Sequence, residues 1–465
     1  MSAPPSRVPA EYDAIVIGAG QAGVPLSRAL AQDGRRTALI EREHVGGTCI
    51  NEGCTPTKTM IASARVAYLA GRAADYGIQI EGLSVDMDAV RRRKREIVDS
   101  WRSANERRLE ETENLDLIRG EASFLNSREV EVRMPDAQTV RVKAPLIFIN
   151  TGCRPRMPDL PGLATVPYLT STTVMELGVL PEHLVILGGG YVAVEFAQLF
   201  RRLGSAVTIV QRRGSLLAHE DDDVSRAVYE VLREDGVEIL LKADARRVRT
   251  EDGGVLLLVD HPSGQTTLSG SHLLVAAGRS PNSEALRPER AELEVDSGGY
   301  LPVDDRLQTR VPGIYALGDV KGGPGLTHVS YDDFRIIRSN LLEGGDRSIS
   351  ERLIPYVVFL DPQLGRVGLT ERQAAEQGMR TKIYQMQANS VARALETDET
   401  RGLLKVVVDA DTDRIVGCAI LMVDGGEIMA LLEVAILGGL SPTTLRETMF
   451  AHPTLAEGLN NLFST

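Results

Sequence analysis

The sequence predicts an α/β chain of two Rossmann-like units on parallel sheets, followed by a C-terminal α+β domain. Three observations carry this. A strand, glycine turn, helix and second strand occur in that order from Ile15, and the same order returns from Leu184. Beyond residue 350 the texture changes to strands first and helices after, an α+β arrangement. A chain of 465 residues is also too long for one core and calls for several domains.

Composition narrows the partners. A hydrophobic content of 43% with 25% charged residues is that of an ordinary globular chain. The net charge of −12 argues against nucleic acid or an anionic membrane as the main partner. The opening Met1 to Ala10 has no apolar segment and reads as a short flexible tail, not a signal peptide. No run approaches the roughly 18 apolar residues of a membrane span. Four cysteines are too few for a disulfide scaffold, so a close pair reads as a transient catalytic disulfide or a metal site. The cytoplasm is the expected compartment.

In the first unit the β-branched run Ile15 to Ile17 enters Gly18-x-Gly20-x-x-Gly23, a helical pattern follows to Gln32, and Thr37 to Ile40 ends in Glu41. The glycines allow a tight turn and close backbone approach, and the helix start faces a pyrophosphate. Glu41 stands where a carboxylate accepts from a ribose hydroxyl pair.

The stretch Gly46-Gly-Thr-Cys-Ile-Asn-Glu-Gly-Cys-Thr-Pro-Thr-Lys58 comes next. In an ideal helix Cys49 and Cys54 would lie beyond the roughly 4.4–6.8 Å Cα separation of a disulfide, so the segment must bend, and Gly53 permits it. A position near a helix start favours thiolate. A metal clip would need further ligands, and His44 is the one nearby in sequence, so no metal site is expected.

A long helix over 89–113 carries Arg91-Arg-Arg-Lys-Arg95 among acids, which reads as a solvated face and not a nucleic-acid patch. Strands are expected at 116–124, 129–142 and 146–150, before a proline-rich junction at 155–161. In the second unit, Gly188-x-Gly190-x-x-Ala193 leads to Ala206 to Val210. Gln211 holds the offset from Gly188 that Glu41 holds from Gly18, and Arg212 and Arg213 follow. The first unit thus offers a carboxylate, suited to FAD. The second offers guanidiniums, suited to the 2′-phosphate of NADPH unless they are mere surface charges. Further on, an alternating strand is expected over 301–320 and a helix from Asp332 to Leu342. Cys153 and Cys418 read as small apolar fillers.

These motifs resemble the class I pyridine nucleotide-disulfide oxidoreductases, the family of glutathione reductase, dihydrolipoamide dehydrogenase and mercuric reductase. The resemblance rests on both glycine turns, Gly46 to Lys58, Thr151-Gly152, Gly278-Arg-Ser-Pro-Asn282, Ala316-Leu-Gly-Asp319 and His452-Pro-Thr-Leu-Ala-Glu457. Phe-Ile-Asn-Thr-Gly (148–152), Ser-Tyr-Asp-Asp-Phe-Arg (330–335) and Leu-Asn-Asn-Leu-Phe (459–463) look most like the mercuric-reductase-like branch that contains the reactive-chlorine-resistance, RclA-type reductases.

The resemblance implies a homodimer whose active sites are shared across the interface. It implies an FAD-binding domain at 1–155 and 278–345, an NAD(P)H-binding domain at 156–277 and a dimerisation domain at 346–465. Gly18, Gly20, Gly23, Glu41, Gly47, Thr48, Thr151, Gly152 and Asp319 would hold FAD. Gly188, Gly190, Tyr191, Arg212, Arg213 and Gly278 would hold NADPH, with Tyr191 gating the nicotinamide pocket. Cys54 would be the charge-transfer thiolate and Cys49 the nucleophile. Lys58 would pair with Glu195 beside the flavin, and His452, oriented by Glu457, would serve the other subunit.

Mercuric reductases normally carry a cysteine pair near the C-terminus. This sequence shows none there, so efficient mercuric reduction is not expected. The expected activity passes electrons from NADPH through FAD to Cys49–Cys54 and on to a small disulfide, an oxidant or a metal ion. A redox subunit of a larger complex and an NAD(P)H oxidase without thiol exchange are the alternatives.

Overall fold

The computed structural model describes residues 9–350 and 352–464; most of the expected N-terminal tail, residues 1–8, lies outside them. The chain divides into two compact units. One holds the chain up to Thr59, Arg92–Arg156 and Arg279–Arg352, and the other holds Met60–Arg91, Met157–Gly278 and the chain from Leu353.

In the first unit the apolar runs form a five-stranded parallel sheet. Its order is Ile314–Ala316, Leu146–Ile149, Ala14–Ile17, Thr37–Glu41, Leu115–Arg119. Both faces are covered, which is why these strands read as continuous and not alternating apolar runs. Val16, Leu39 and Phe148 pack against Leu26 and Leu30 of the helix Gly23–Gln32 and Phe334 and Ile337 of the helix Thr327–Leu342. Ile15, Ile17 and Ile40 pack on the other side with Phe124, Val130 and Val142 of a three-stranded antiparallel sheet.

Four expectations need correction here, the first being the strand expected over 129–142, which is two, Glu129–Arg133 and Thr139–Lys143. The strand expected over 116–124 is two, Leu115–Arg119 and Glu121–Asn126, in different sheets. Gly120 divides them: a Cβ there would lie 2.7 Å from the Arg133 carbonyl oxygen. Of the strand expected over 301–320, Ile314–Ala316 is a strand. Upstream, Asp304 Oδ1 accepts from the amides of Arg306 and Gln308, both at 2.9 Å, so a turn takes donors that a ladder would need. The helix expected from Asp332 begins at Thr327; Leu326 at its cap makes no side-chain bond, so its start carries no sequence signal.

The second unit contains a four-stranded parallel sheet in the order Glu238–Leu241, Ala206–Gln211, His183–Leu187, His272–Val275. The helix Tyr191–Leu203 buries Val194, Phe196 and Phe200. The segment from Leu353 contains a five-stranded antiparallel sheet, Tyr356–Val358, Gln363–Gly368, Arg414–Met422, Leu403–Asp409 and Thr381–Gln387 in spatial order. The helix Gly425–Leu437 follows it, as the α+β reading expects, while the short helices Glu371–Glu376 and Ala392–Glu396 interleave with the strands. Among the described residues no helix is long and apolar enough to cross a membrane.

Candidate active site

The cysteine segment bends where the sequence allows it. Cys49 sits on the helix Gly47–Asn51, the backbone breaks at Glu52 (φ −140°), and Cys54 opens the helix Cys54–Gly71. A Cβ on Gly53 would lie 2.9 Å from the Thr48 carbonyl oxygen, so the bend closes only on glycine. Gly47 has φ +61°, and a Cβ there would lie 2.8 Å from Gly20 Cα. The cysteine segment therefore abuts the first glycine turn at a distance that side chains would forbid.

The two cysteines are not bridged, and Cys49 is half-buried and Cys54 exposed. Thr327 Oγ1 lies 3.3 Å from Cys54 Sγ. The Cys49 thiol is pushed above the usual range by its hydrogen bond to Cys54, by burial and by charge on Cys54, while the Thr327 hydroxyl and Lys58 pull the other way. Cys49 is thus the thiol that its neighbour and burial hold protonated. A Cys54 thiolate is favoured by the N-terminal amides of the helix it opens.

The first unit fits a flavin nucleotide. Thr151 Oγ1 is buried with no hydrogen-bond partner among the described residues, an acceptor and donor left for a bound group. Asp319 is partly buried and its carboxyl is raised by that burial, with Arg279 and Lys321 opposing; among the described residues no side chain hydrogen-bonds to its carboxylate, which suits a hydroxyl ligand. Glu41 is fixed by two amides, Oε2 accepting from Ala19 at 2.8 Å and Oε1 from Glu43 at 2.7 Å. Gly152 has open space where a Cβ would stand.

In the second unit, Gly190 also has open space and Tyr191, 44% exposed, begins the helix behind it. Gln211 differs from Glu41 in direction as well as charge. It is buried, and its Nε2 donates to the Ser215 carbonyl at 3.1 Å. Arg212 and Arg213 are exposed and form no ion pair with a described residue. Gly278 ends the middle segment of this unit with φ +112°. Glu195 is buried on the helix Tyr191–Leu203, where Oε1 accepts from the Phe359 amide at 2.8 Å. Near the C-terminal end, His452 Nδ1 lies 2.9 Å from Glu457 Oε2, with the imidazole exposed and the carboxylate largely covered. Among the described residues no group of three potential ligands is placed to hold a metal.

Residues 12–333 match the family described as pyridine nucleotide-disulphide oxidoreductase, and residues 354–463 match its dimerisation domain. The chain belongs to this family. It is 39% identical over 458 residues to the probable pyridine nucleotide-disulfide oxidoreductase RclA of Escherichia coli (strain K12), covering 98% of this chain and 99% of that protein. It is 35% identical over 449 residues to a mercuric reductase of Streptomyces lividans, covering 96% and 94%. The solved Cu(II) complex of HOCl-induced flavoprotein disulfide reductase RclA from Escherichia coli matches with a TM-score of 0.90 at 38% identity, covering 98% of this chain and 99% of that one. Within the pyridine nucleotide-disulphide oxidoreductases the chain falls in the RclA-type branch, and membership implies FAD, a pyridine nucleotide and a redox-active disulfide.

Three residues shape the site without having been singled out from the sequence. Asn150 Oδ1 accepts from the Gly23 amide and its Nδ2 donates to the Leu317 carbonyl, both at 2.9 Å, tying the first glycine turn to the strand end before Asp319. Asp333, fully buried, accepts from the Gly318 amide at 2.7 Å and pairs with Lys321 at 3.2 Å and Arg352 at 2.7 Å. Thr327 is the third. A branch signature covers Asn150 and Asp333, but nothing in the pattern marks them as buried anchors. Thr327→Val keeps the side-chain shape and removes the hydroxyl donor. A donor to an anion lowers its pKa, so the thiolate signal of the reduced protein should move to higher pH, with a several-fold loss of turnover near neutrality. An unmoved titration would leave Thr327 a packing residue.

Proposed function

We propose that the chain is a homodimeric reductase that passes an electron pair from NADPH through FAD to Cys49–Cys54 and on to a small disulfide, an oxidant or a metal ion. The observation that carries this reading is the thiol pair on a segment seated against the first glycine turn, with the Thr327 hydroxyl on its exposed sulfur.

When bound, FAD reduced by a pyridine nucleotide supplies the electron pair that opens the Cys49–Cys54 disulfide. Gly18, Gly20 and Gly23 leave room for its pyrophosphate, Glu41 takes a ribose, and Thr48, Thr151, Gly152 and Asp319 take the rest. Lys58 pairs with Glu195 in this reading, and Tyr191 covers the nicotinamide side. Cys49 is the thiol that must attack, and it is the one held protonated, so a base must take its proton. His452 from the second subunit does this, its Nδ1 held by Glu457. With a disulfide substrate, Cys49 sulfur bonds to one substrate sulfur as the substrate S–S bond breaks, and the leaving sulfur takes a proton from His452. Cys54 thiolate then displaces the second substrate thiol and the Cys49–Cys54 bond re-forms.

The relative solved with Cu(II) and described as HOCl-induced makes Cu(II) and chlorine-derived oxidants the first substrates to try, ahead of glutathione disulfide and lipoamide. The test is anaerobic. NADPH should reduce the bound flavin and produce a long-wavelength thiolate band that disappears in Cys54→Ser; no flavin reduction by NADPH sinks the proposal. Stopped-flow mixing of pre-reduced protein with Cu(II), hypochlorite, hypothiocyanite, Hg(II), glutathione disulfide and lipoamide then ranks the acceptors.

NADPH over NADH rests on Gln211 and the two unpaired arginines. Arg212→Ala combined with Arg213→Ala should raise KM for NADPH about tenfold or more, the scale of charge-assisted phosphate contacts, and leave KM for NADH within about twofold. Equal effects on both would remove the preference.

A further inference from the structure

We propose that Lys242 is a third cation of the 2′-phosphate site, one that discriminates NADPH from NADH; this rests on the NADPH reading above. One difference between the two Rossmann-like units lies at the end of the strand that follows each glycine-turn helix. In the first unit Glu41 pairs with Arg119 across parallel strands, and the next residue, Gly120, donates its N–H to the Glu41 carbonyl at 2.9 Å. In the second, Gln211 pairs with Leu241, but the residue donating to the Gln211 carbonyl is Ala243, at 3.0 Å. Lys242 is thus an added residue between the strand end and that hydrogen bond. Its own N–H reaches the Arg213 carbonyl at 2.9 Å.

The insertion does more than lengthen a loop. Lys242 has φ +54°, a region costly for a residue with a Cβ and cheaper for asparagine or glycine. Its side chain runs back along the arginine loop, with Cε 3.4 Å from where a Cβ on Gly214 would stand. Lys242, Arg212 and Arg213 are all exposed, and none forms an ion pair with a described residue. Three unpaired cations therefore collect at the carboxyl ends of two adjacent parallel strands, in a chain whose net charge is −12. Such sheet ends are where α/β folds take ligands. Mutual repulsion among the three is relieved by an anion of nearly two charges, which a 2′-phosphate supplies and an unphosphorylated ribose does not.

The test uses Lys242→Asn, which removes the charge while keeping a residue suited to positive φ, and Lys242→Arg, which keeps the charge. Calorimetric titration of the FAD-loaded protein with 2′,5′-ADP and with 5′-ADP reads the phosphate contribution without turnover. Lys242→Asn should weaken 2′,5′-ADP about five- to tenfold, as loss of one charge-assisted phosphate contact does, and leave 5′-ADP within about twofold. Its 2′,5′-ADP affinity should also fall less steeply with salt than the wild type's, and Lys242→Arg should retain most of the binding. Parallel weakening of both nucleotides, or no change in either, overturns the role of Lys242. If Arg212→Ala with Arg213→Ala loses the wild-type preference for 2′,5′-ADP while Lys242→Asn keeps it, only Lys242 is refuted. A wild type that does not prefer 2′,5′-ADP refutes the NADPH reading and this inference together.

Discussion

Cys49→Ser should lower NADPH-driven reduction of any disulfide acceptor on the order of a thousandfold or more, the scale on which removing the nucleophile of a catalytic unit acts. Reduction of the flavin by NADPH should persist, because no atom of Cys49 takes part in it. The thiolate band should also be present without added reductant, since Cys54 can no longer be tied into a disulfide and still opens the helix Cys54–Gly71 beside the Thr327 hydroxyl. Cys54→Ser should likewise stop disulfide turnover, but without the band. Rapid-mixing spectra of the two variants separate them. Full acceptor turnover in Cys49→Ser would mean that electrons leave the flavin directly, as in an NAD(P)H oxidase, and the thiol relay would be wrong.

Asp333→Ala should cost about 3–5 kcal/mol of stability, the range for removing one partner of a buried ion pair. Asp333 is fully buried, and its loss strands Lys321, whose side chain is 5% exposed, and the Gly318 amide, and leaves Arg352 with the longer 3.6 Å pair to Asp332. The Gly318–Lys321 turn carries Asp319, so the variant should also purify with less FAD. Asp333→Asn can keep the bond to Gly318 but not the charge, and should fall between wild type and alanine. Urea denaturation with the flavin-to-protein absorbance ratio measures both effects. A variant within about 1 kcal/mol of wild type and fully flavinated would show that the turn holds without its buried acid.

The features of the candidate site that are legible in the sequence are those in which residue identity and spacing suffice. The bend between Cys49 and Cys54 follows from disulfide reach and Gly53, and the structure places it there. The contrast between Glu41 and Gln211 could be read because the chain contains its own comparison. The structure adds that Gln211 is turned onto Ser215. Thr327 was not legible as a thiol partner because contact with Cys54 depends on a distant helix start, and Leu326 gives that start no cap. Asp333 could not be told from Asp332 by pattern, since two adjacent acids look alike until one is buried. The alternating stretch at 301–320 misled because Asp304 diverts the backbone into a turn. Lys242 escaped notice because a one-residue insertion shows only in the register of hydrogen bonds.

The bend at Gly53 also sets how quietly the protein can change oxidation state. A bridge from Cys49 to Cys54 would tether a very short stretch of an unfolded chain, and cross-links stabilise least when the loop they close is short, about 2 kcal/mol on the entropic account. Oxidation and reduction at this place therefore shift the balance of folded and unfolded chains by about thirtyfold, less than a bridge closing a long loop would.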